Sequence, residues 1–244
     1  MDRQAAALAL TSRGNWDSRL ELRLAADDAA HVLNTATLFR LARHESKSIS
    51  RASVERWIAD ACAVKRLVKV VRGLYLNRMV SPAAELYEAA IWLRPNCVVS
   101  LQTVLGESGV WNNYTNIATV VVPFVPNGPR PSLGKKVTLA GEFQFRGMPE
   151  SFLIAGKECD RLADVAGYLR ATPEAALMHW LYLARSAHST LASPPLDLDL
   201  DELSVNRLQR LAKSMEMVET LKDWMRVKKK HDASQSVVEK TWIP

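Results

Sequence analysis

At 244 residues the chain has room for one large domain or two smaller ones, and 48% apolar with 24% charged residues is the balance of an ordinary globular protein, which excludes a disordered chain. The longest apolar runs, such as the one around Val121, are far too short to span a bilayer, so no membrane partner is expected. The net charge of +6 is localised: residues 40 to 78 hold ten Lys/Arg against Glu45, Glu55 and Asp60, leaving 22 basic and 23 acidic residues elsewhere. A positive excess confined to one segment is the footprint of a surface that meets phosphate, although a solvated charged face gives the same count.

Asp2 and Arg3, followed by a short Ala/Leu stretch broken at Arg13, do not make a signal peptide, and a cytoplasmic location is expected. The alternation of "RLELRL" at 19 to 24 allows a strand, and an early helix is expected within Ala26 to Leu33. Asn34 or Thr35 caps a short helix to about Arg43, with Leu38, Leu41 and Ala42 on one side. Ser50 caps the next, in which Val54, Trp57, Ile58, Ala61 and Cys62 repeat at helical spacing up to about Ala63, while Ala52, Ser53, Arg56 and Asp60 take the opposite face.

"RLVKVVRGLYLN", residues 66 to 77, then reads as a basic β-hairpin, with a three-residue loop Val71-Arg72-Gly73 and the glycine in the left-handed position. Two short helices followed by a hairpin have the order of a winged helix-turn-helix. The fold class expected is α+β, with an N-terminal winged helix-turn-helix over residues 1 to 80 and a mixed-sheet α/β domain ending in helices over 81 to 244.

In that second domain, Ser81 and Pro82 open a helix that Arg94-Pro95 stops. "CVVS" is a strand whose Ser100 caps a short helix ending near Gly109. Strands are expected at Ile117 to Val122, Lys136 to Leu139, Glu142 to Arg146 and Phe152 to Ile154, with the Pro/Gly-rich segment 123 to 136 as a loop. Three helices follow, beginning at "TPEAALMHWLYLAR", "DELSVNRLQRLAKS" and "MEMVETLKDWMRVKKK", the last closed by the cations of "RVKKKH".

A helix that reads DNA needs small or hydrogen-bonding side chains near its N-terminus so that the backbone can approach the groove. Ser50, Arg51, Ser53 and Arg56 meet that need: arginine donates twice to a guanine edge, and serines suit phosphate oxygens. Lys65, Arg66, Lys69 and Arg72 suit backbone phosphates or, for Arg72, a minor groove. The same residues also suit an ordinary capped surface helix and an edge hairpin protected from aggregation by its charges.

Catalytic and metal motifs are missing. Cys62, Cys97 and Cys159 lie far apart and read as buried free thiols, and no two histidines have the spacing of a helical metal site. "LDLDLDEL", with Asp197, Asp199 and Asp201, lacks the glycine and the twelfth-position acid of a calcium loop, since Glu202 and Leu208 stand there, so helix capping by Asp199 or Asp201 is expected instead. Glu45-Ser46-Lys47 has no upstream acidic partner for a nuclease, and no phosphate loop, dinucleotide fingerprint or hydrolase elbow appears. The expectation is a protein without enzymatic activity, metal or cofactor.

A hairpin "RLVKVVRGLYL", a helix opening "SPAAELYEAA", then "CVVSLQTVLGESGV" and later "ATPEAALMHWLYL" together resemble, in order and spacing, the AbiEi-type antitoxins of type IV toxin-antitoxin, abortive-infection systems. The likeness covers roughly residues 30 to 215; the long approach Met1 to Leu33 and the tail "KKKHDASQSVVEKTWIP" depart from it. The resemblance implies a transcriptional repressor that binds inverted repeats of double-stranded DNA in its own promoter, with a C-terminal domain linked to neutralising a nucleotidyltransferase-like toxin in phage defence. It would place reading on Ser50 to Arg56, wing contacts on Lys69 and Arg72, and structural capping on Ser100 and Glu174. The competing expectation is a module that binds a partner toxin without reading DNA.

Overall fold

"RLELRL" forms a helix, because Leu20 and Leu24 are i, i+4 partners as well as alternating positions, and Asn15 stands ready as a cap whose side-chain oxygen accepts the Trp16 N–H at 3.2 Å. Helix α1, Trp16–Leu24, buries those two leucines and leaves Leu22 exposed. The strand expected at 19 to 24 and the helix expected within Ala26 to Leu33 are both corrected, since strand β1, Val32–Asn34, occupies the end of that second interval. The computed structural model describes residues 15–113, 116–125, 127–155, 159–162 and 167–241; the Met1 to Arg13 stretch and the last residues of the tail lie outside them.

Helix α2, Thr35–Glu45, starts at Asn34, whose carboxamide oxygen accepts the Thr37 N–H at 2.7 Å. Helix α3, Arg51–Ala63, starts at Ser50, whose hydroxyl accepts the Ser53 N–H at 3.1 Å. Leu38 and Ala42 of α2 meet Val54, Trp57, Ile58 and Ala61 of α3 in one apolar core with Leu20, Leu24, Leu33, Leu67 and Tyr75. Trp16 packs its ring edge-on to Trp57 at 6.4 Å. Cys62, placed by sequence on the buried stripe, is only half-buried.

The chain leaves α3 through a left-handed residue, Lys65 (φ 59°). There the Lys65 N–H bonds the Cys62 carbonyl at 3.1 Å and the Arg66 N–H bonds the Ala61 carbonyl at 2.9 Å, the paired bonds of a Schellman cap. Strands β2, Leu67–Val71, and β3, Leu74–Asn77, follow as the hairpin, and β1 pairs antiparallel with β3 to give the order β1-β3-β2. Gly73 takes φ +79°, as its position in the turn requires. The loop is one residue shorter than expected: Val71 pairs with Leu74, and the irregularity moves into β2 between Lys69 and Val71, which turns Val70 into the core. Asn77, fully buried, donates from Nδ2 to the Leu24 carbonyl at 2.8 Å and the Ala30 carbonyl at 3.2 Å, and its Oδ1 accepts the Met79 N–H.

After the hairpin, Ser81 and Pro82 do not open a helix. A 3-10 turn, Leu86–Ala89, runs into helix α4, Ala90–Leu93. Its start is fixed at Glu85 because the buried Glu88 carboxylate accepts the Glu85 N–H at 2.7 Å while its other oxygen meets His31 Nδ1 at 2.7 Å. Burial raises the Glu88 pKa above the ordinary carboxylate range, against the lowering effect of those bonds.

The chain divides into two compact units. The first takes residues up to Leu93 with Val137–Gly141 and Leu162–Gly167; the second takes Arg94–Lys136, Glu142–Arg161 and Tyr168 onward. The second unit is built on a mixed sheet of β4 (Val98–Val99), β5 (Ile117–Phe124), β6 (Gly134–Val137), β7 (Glu142–Pro149), β8 (Cys159–Leu162) and β9 (Tyr168–Ala171), in the order β6-β7-β5-β4-β9-β8. β5 runs parallel to β7 from Ile117 opposite Glu142 to Phe124 opposite Pro149, whereas β4 is antiparallel to β5 and parallel to β9.

Ser100 is not a cap. Its hydroxyl meets buried His179 Nδ1 at 2.8 Å, and helix α5, Gln102–Glu107, starts after Leu101, which carries the positive φ of 59°. Phe152 to Ile154 lies in helix α6, Glu150–Ala155, rather than a strand. Thr172 caps α7, Pro173–Arg185, in which Ala175 to Leu181 are all buried. Ser204, not Asp199 or Asp201, caps α8, Val205–Ser214; Asp199 instead accepts the Asp201 N–H at 3.0 Å in a local turn. Glu174, in the first turn of α7, accepts the Ser204 N–H at 2.9 Å and so anchors the start of α8. The last helix, α9, Val218–Thr241, continues through "RVKKKH" instead of closing there, with Lys228 buried and donating to the Leu196 carbonyl and to Asp232. No described helix is long and apolar enough to cross a membrane.

Candidate nucleic-acid interface

With Val54, Trp57, Ile58 and Ala61 turned into the core, the helical period sends Ala52, Arg56, Ala59 and Ala63 along the opposite ridge of α3, and all four are exposed. Three methyl groups and one arginine make a ridge low enough for the helix backbone to approach a groove, with a single long donor projecting from it. No hydrogen bond or ion pair engages Arg56 among the described residues.

The remaining candidates fall into three groups. Ser50, Arg51 and Ser53 gather at the N-terminal turn of α3: the Ser50 and Ser53 hydroxyls lie 2.8 Å apart, and Arg51 Nε donates to Glu55 at 2.9 Å in a largely exposed pair. Lys65 and Arg66 form the exit of α3. Lys65 is exposed in its left-handed position, while the Arg66 guanidinium pairs with the Glu21 carboxylate of α1. On the hairpin, Arg72 is exposed at the turn, and Gly73 beside it accepts the Thr35 N–H at 3.0 Å, which ties the turn to the start of α2. Lys69 is half-buried opposite Tyr75, close enough to Cys62 to lower that thiol's pKa, although burial raises it by more.

Arg56, Lys65 and Arg72 thus remain as exposed cations without a carboxylate partner among the described residues, whereas Arg51 and Arg66 are paired with Glu55 and Glu21, and Lys69 is half-buried. The alanines at 59 and 63 escaped the sequence reading, which stopped at Asp60, although continuing the i, i+4, i+7, i+11 spacing from Ala52 finds them. Glu21 as the partner of Arg66 had no local signal, since the two stand 45 residues apart.

Elsewhere, Cys97 is buried and its thiol is pushed up to about 12, which keeps it protonated and inert. The side chain of Cys159 lies outside the described residues. No group of three His, Cys, Asp or Glu able to hold a metal occurs among the described residues.

No family model matches the chain, and no curated protein matches it. Among solved structures, the chain is similar to the crystal structure of the Rv2827c protein from Mycobacterium tuberculosis, at 16% identity over 84% of this chain and 76% of that one, with a TM-score of 0.48.

Proposed function

We propose that residues 16 to 77 form a winged helix-turn-helix and that the protein is a DNA-binding transcriptional repressor without catalytic activity. The observation that carries this reading is the ridge Ala52-Arg56-Ala59-Ala63 on a helix followed directly by a hairpin with Arg72 at its turn. The element order α1-β1-α2-α3-β2-β3 with strands ordered β1-β3-β2 supports it, because that arrangement leaves one face of α3 uncovered beside a two-stranded ribbon. The order of sequence motifs supports the narrower reading: a cytoplasmic antitoxin of a type IV, abortive-infection system that binds inverted repeats in its own promoter and counters a nucleotidyltransferase-like toxin. The test is a gel shift with the DNA upstream of the protein's own reading frame. A band competed by that fragment and not by a scrambled one is expected; equal competition by both contradicts sequence-specific repression.

One observation favours a second reading, in which the protein chiefly holds another protein. Val205, Leu208, Val218, Leu221 and Met225 line a groove of about 610 Å³ between α8 and α9, and Val205 is 53% exposed. Co-purification with a neighbouring gene product at high salt, with no DNA shift at low salt, would select that reading.

A further inference from the structure

The Pro/Gly-rich segment between β5 and β6 borders a cavity in the second unit. Phe124, Val125 and residues between Asn127 and Gly134 form one wall, Gln144 to Gly147 of β7 another, and Tyr182, Leu183 and residues just beyond α7 a third, enclosing about 710 Å³. That volume is in the range of small-molecule sites.

The charged lining has one sign. Arg146 comes from β7 and Arg130 from the loop, with the His188 imidazole beyond α7 as a further polar group, and no carboxylate is among the described lining residues. Arg146 is half-buried, and its burial lowers its pKa from the ordinary guanidinium value. No hydrogen bond or ion pair reaches its guanidinium among the described residues, whereas Arg207 and Arg170 of the same unit each hold a carboxylate. A partly dehydrated cation without a counter-ion is a standing cost that a bound anion removes, and guanidinium groups match phosphate oxygens two at a time.

Phe124 and Tyr182 add flat aromatic surface to the lining, beside the polar Asn127, Gln144, Ser186 and Ser189. Gly147 keeps this wall close: a Cβ there would come within 2.7 Å of the Leu133 side chain and 3.4 Å of Phe124.

We infer that this cavity binds a small phosphate monoester of nucleotide size, its phosphate held by Arg146 and Arg130 and its flat body laid against the aromatic wall. Two guanidiniums with no opposing acid among the described lining residues match a dianionic phosphate better than a single carboxylate. The inference does not depend on the DNA reading.

The test is calorimetric titration of the full chain with adenosine 5′-monophosphate, inorganic phosphate and adenosine at constant ionic strength. Saturable 1:1 binding of the monophosphate is expected, with competition by inorganic phosphate and at least tenfold weaker binding of adenosine. Arg146→Gln should weaken the monophosphate at least tenfold; Arg130→Gln, on the loop, serves the same purpose if the first variant folds poorly. The Arg56→Ala, Arg72→Ala double variant should bind as the wild type does. Absent binding of both phosphates, unchanged binding in the two cavity variants, or loss confined to the Arg56, Arg72 variant would each overturn the inference.

Discussion

The Arg66 guanidinium is paired with the Glu21 carboxylate, so the first basic residue of the hairpin segment clasps helix α1 instead of facing solvent alone. The two side chains are 51% and 31% exposed, and solvent screening at such exposure limits the pair to about 0–1 kcal/mol. Arg66→Ala should therefore cost little stability in a urea melt and less than about threefold in DNA affinity, because its charge is already committed. A tenfold loss in affinity would return Arg66 to the phosphate-contacting set.

Lys65 occupies the left-handed C-terminal position of α3, where glycine is the usual occupant. Lys65→Gly should relieve about 1 kcal/mol of backbone strain and raise the melting temperature. If its ammonium meets a phosphate, the same change lowers DNA affinity and reduces the salt slope by about one. Stability and binding would then move in opposite directions, which separates a retained functional cation from a merely tolerated one.

Asn77 joins α1, the turn after it and the end of β3 through two donated bonds and one accepted bond, all from a fully buried side chain. Asn77→Leu keeps the volume but leaves the Leu24 and Ala30 carbonyls and the Met79 N–H without that partner. A loss of about 2–4 kcal/mol is expected by chemical denaturation, and a loss below 1 kcal/mol would show that water replaces the carboxamide there.

His179 titrates in the second unit. Full burial pulls its imidazole down to about 4, while the unfolded chain takes up a proton near 6.5. Between those values the unfolded state binds more protons, so the stabilising contribution is present above pH 6.5 and is lost as the pH falls toward 4, by roughly 3 kcal/mol. His179→Gln should flatten this part of the stability–pH curve, since glutamine keeps a polar partner for Ser100 without taking a proton. A variant curve as steep as the wild type's would assign the acid sensitivity elsewhere.

The elements legible in the sequence were those whose signals are local. Asn34 and Ser50 cap helices because a side-chain oxygen reaches an N–H three residues on, a distance that sequence contains, whereas at α8 the acidic run drew the cap to Asp199 or Asp201 and away from Ser204. Gly73 marked its turn for the same reason. The misread elements depend on partners far along the chain. Ser100 turns to His179 across 79 residues and thereby leaves the capping role its position suggested, and the pairing of Glu88 with His31 across 57 residues had no local signal. "RLELRL" satisfied two periods at once, and the Asn15 cap together with packing against α2 chose the helix. At the candidate interface, residue types identified the cations, but which remain available depended on Glu21 and Glu55, of which only Glu55 lies within one helical turn of its arginine.

In the proposed complex Arg56, on its alanine ridge, and Arg72, at the hairpin turn, meet one duplex together. The direct measurement is the dissociation constant of the full chain for its upstream DNA, wild type against the Arg56→Ala, Arg72→Ala double variant, across a salt series. Binding at least a hundredfold weaker, roughly 3 kcal/mol, and a shallower salt slope are expected of the double variant, with an unchanged melting temperature because both side chains are exposed. Equal affinity and equal slope for the two proteins would contradict that complex.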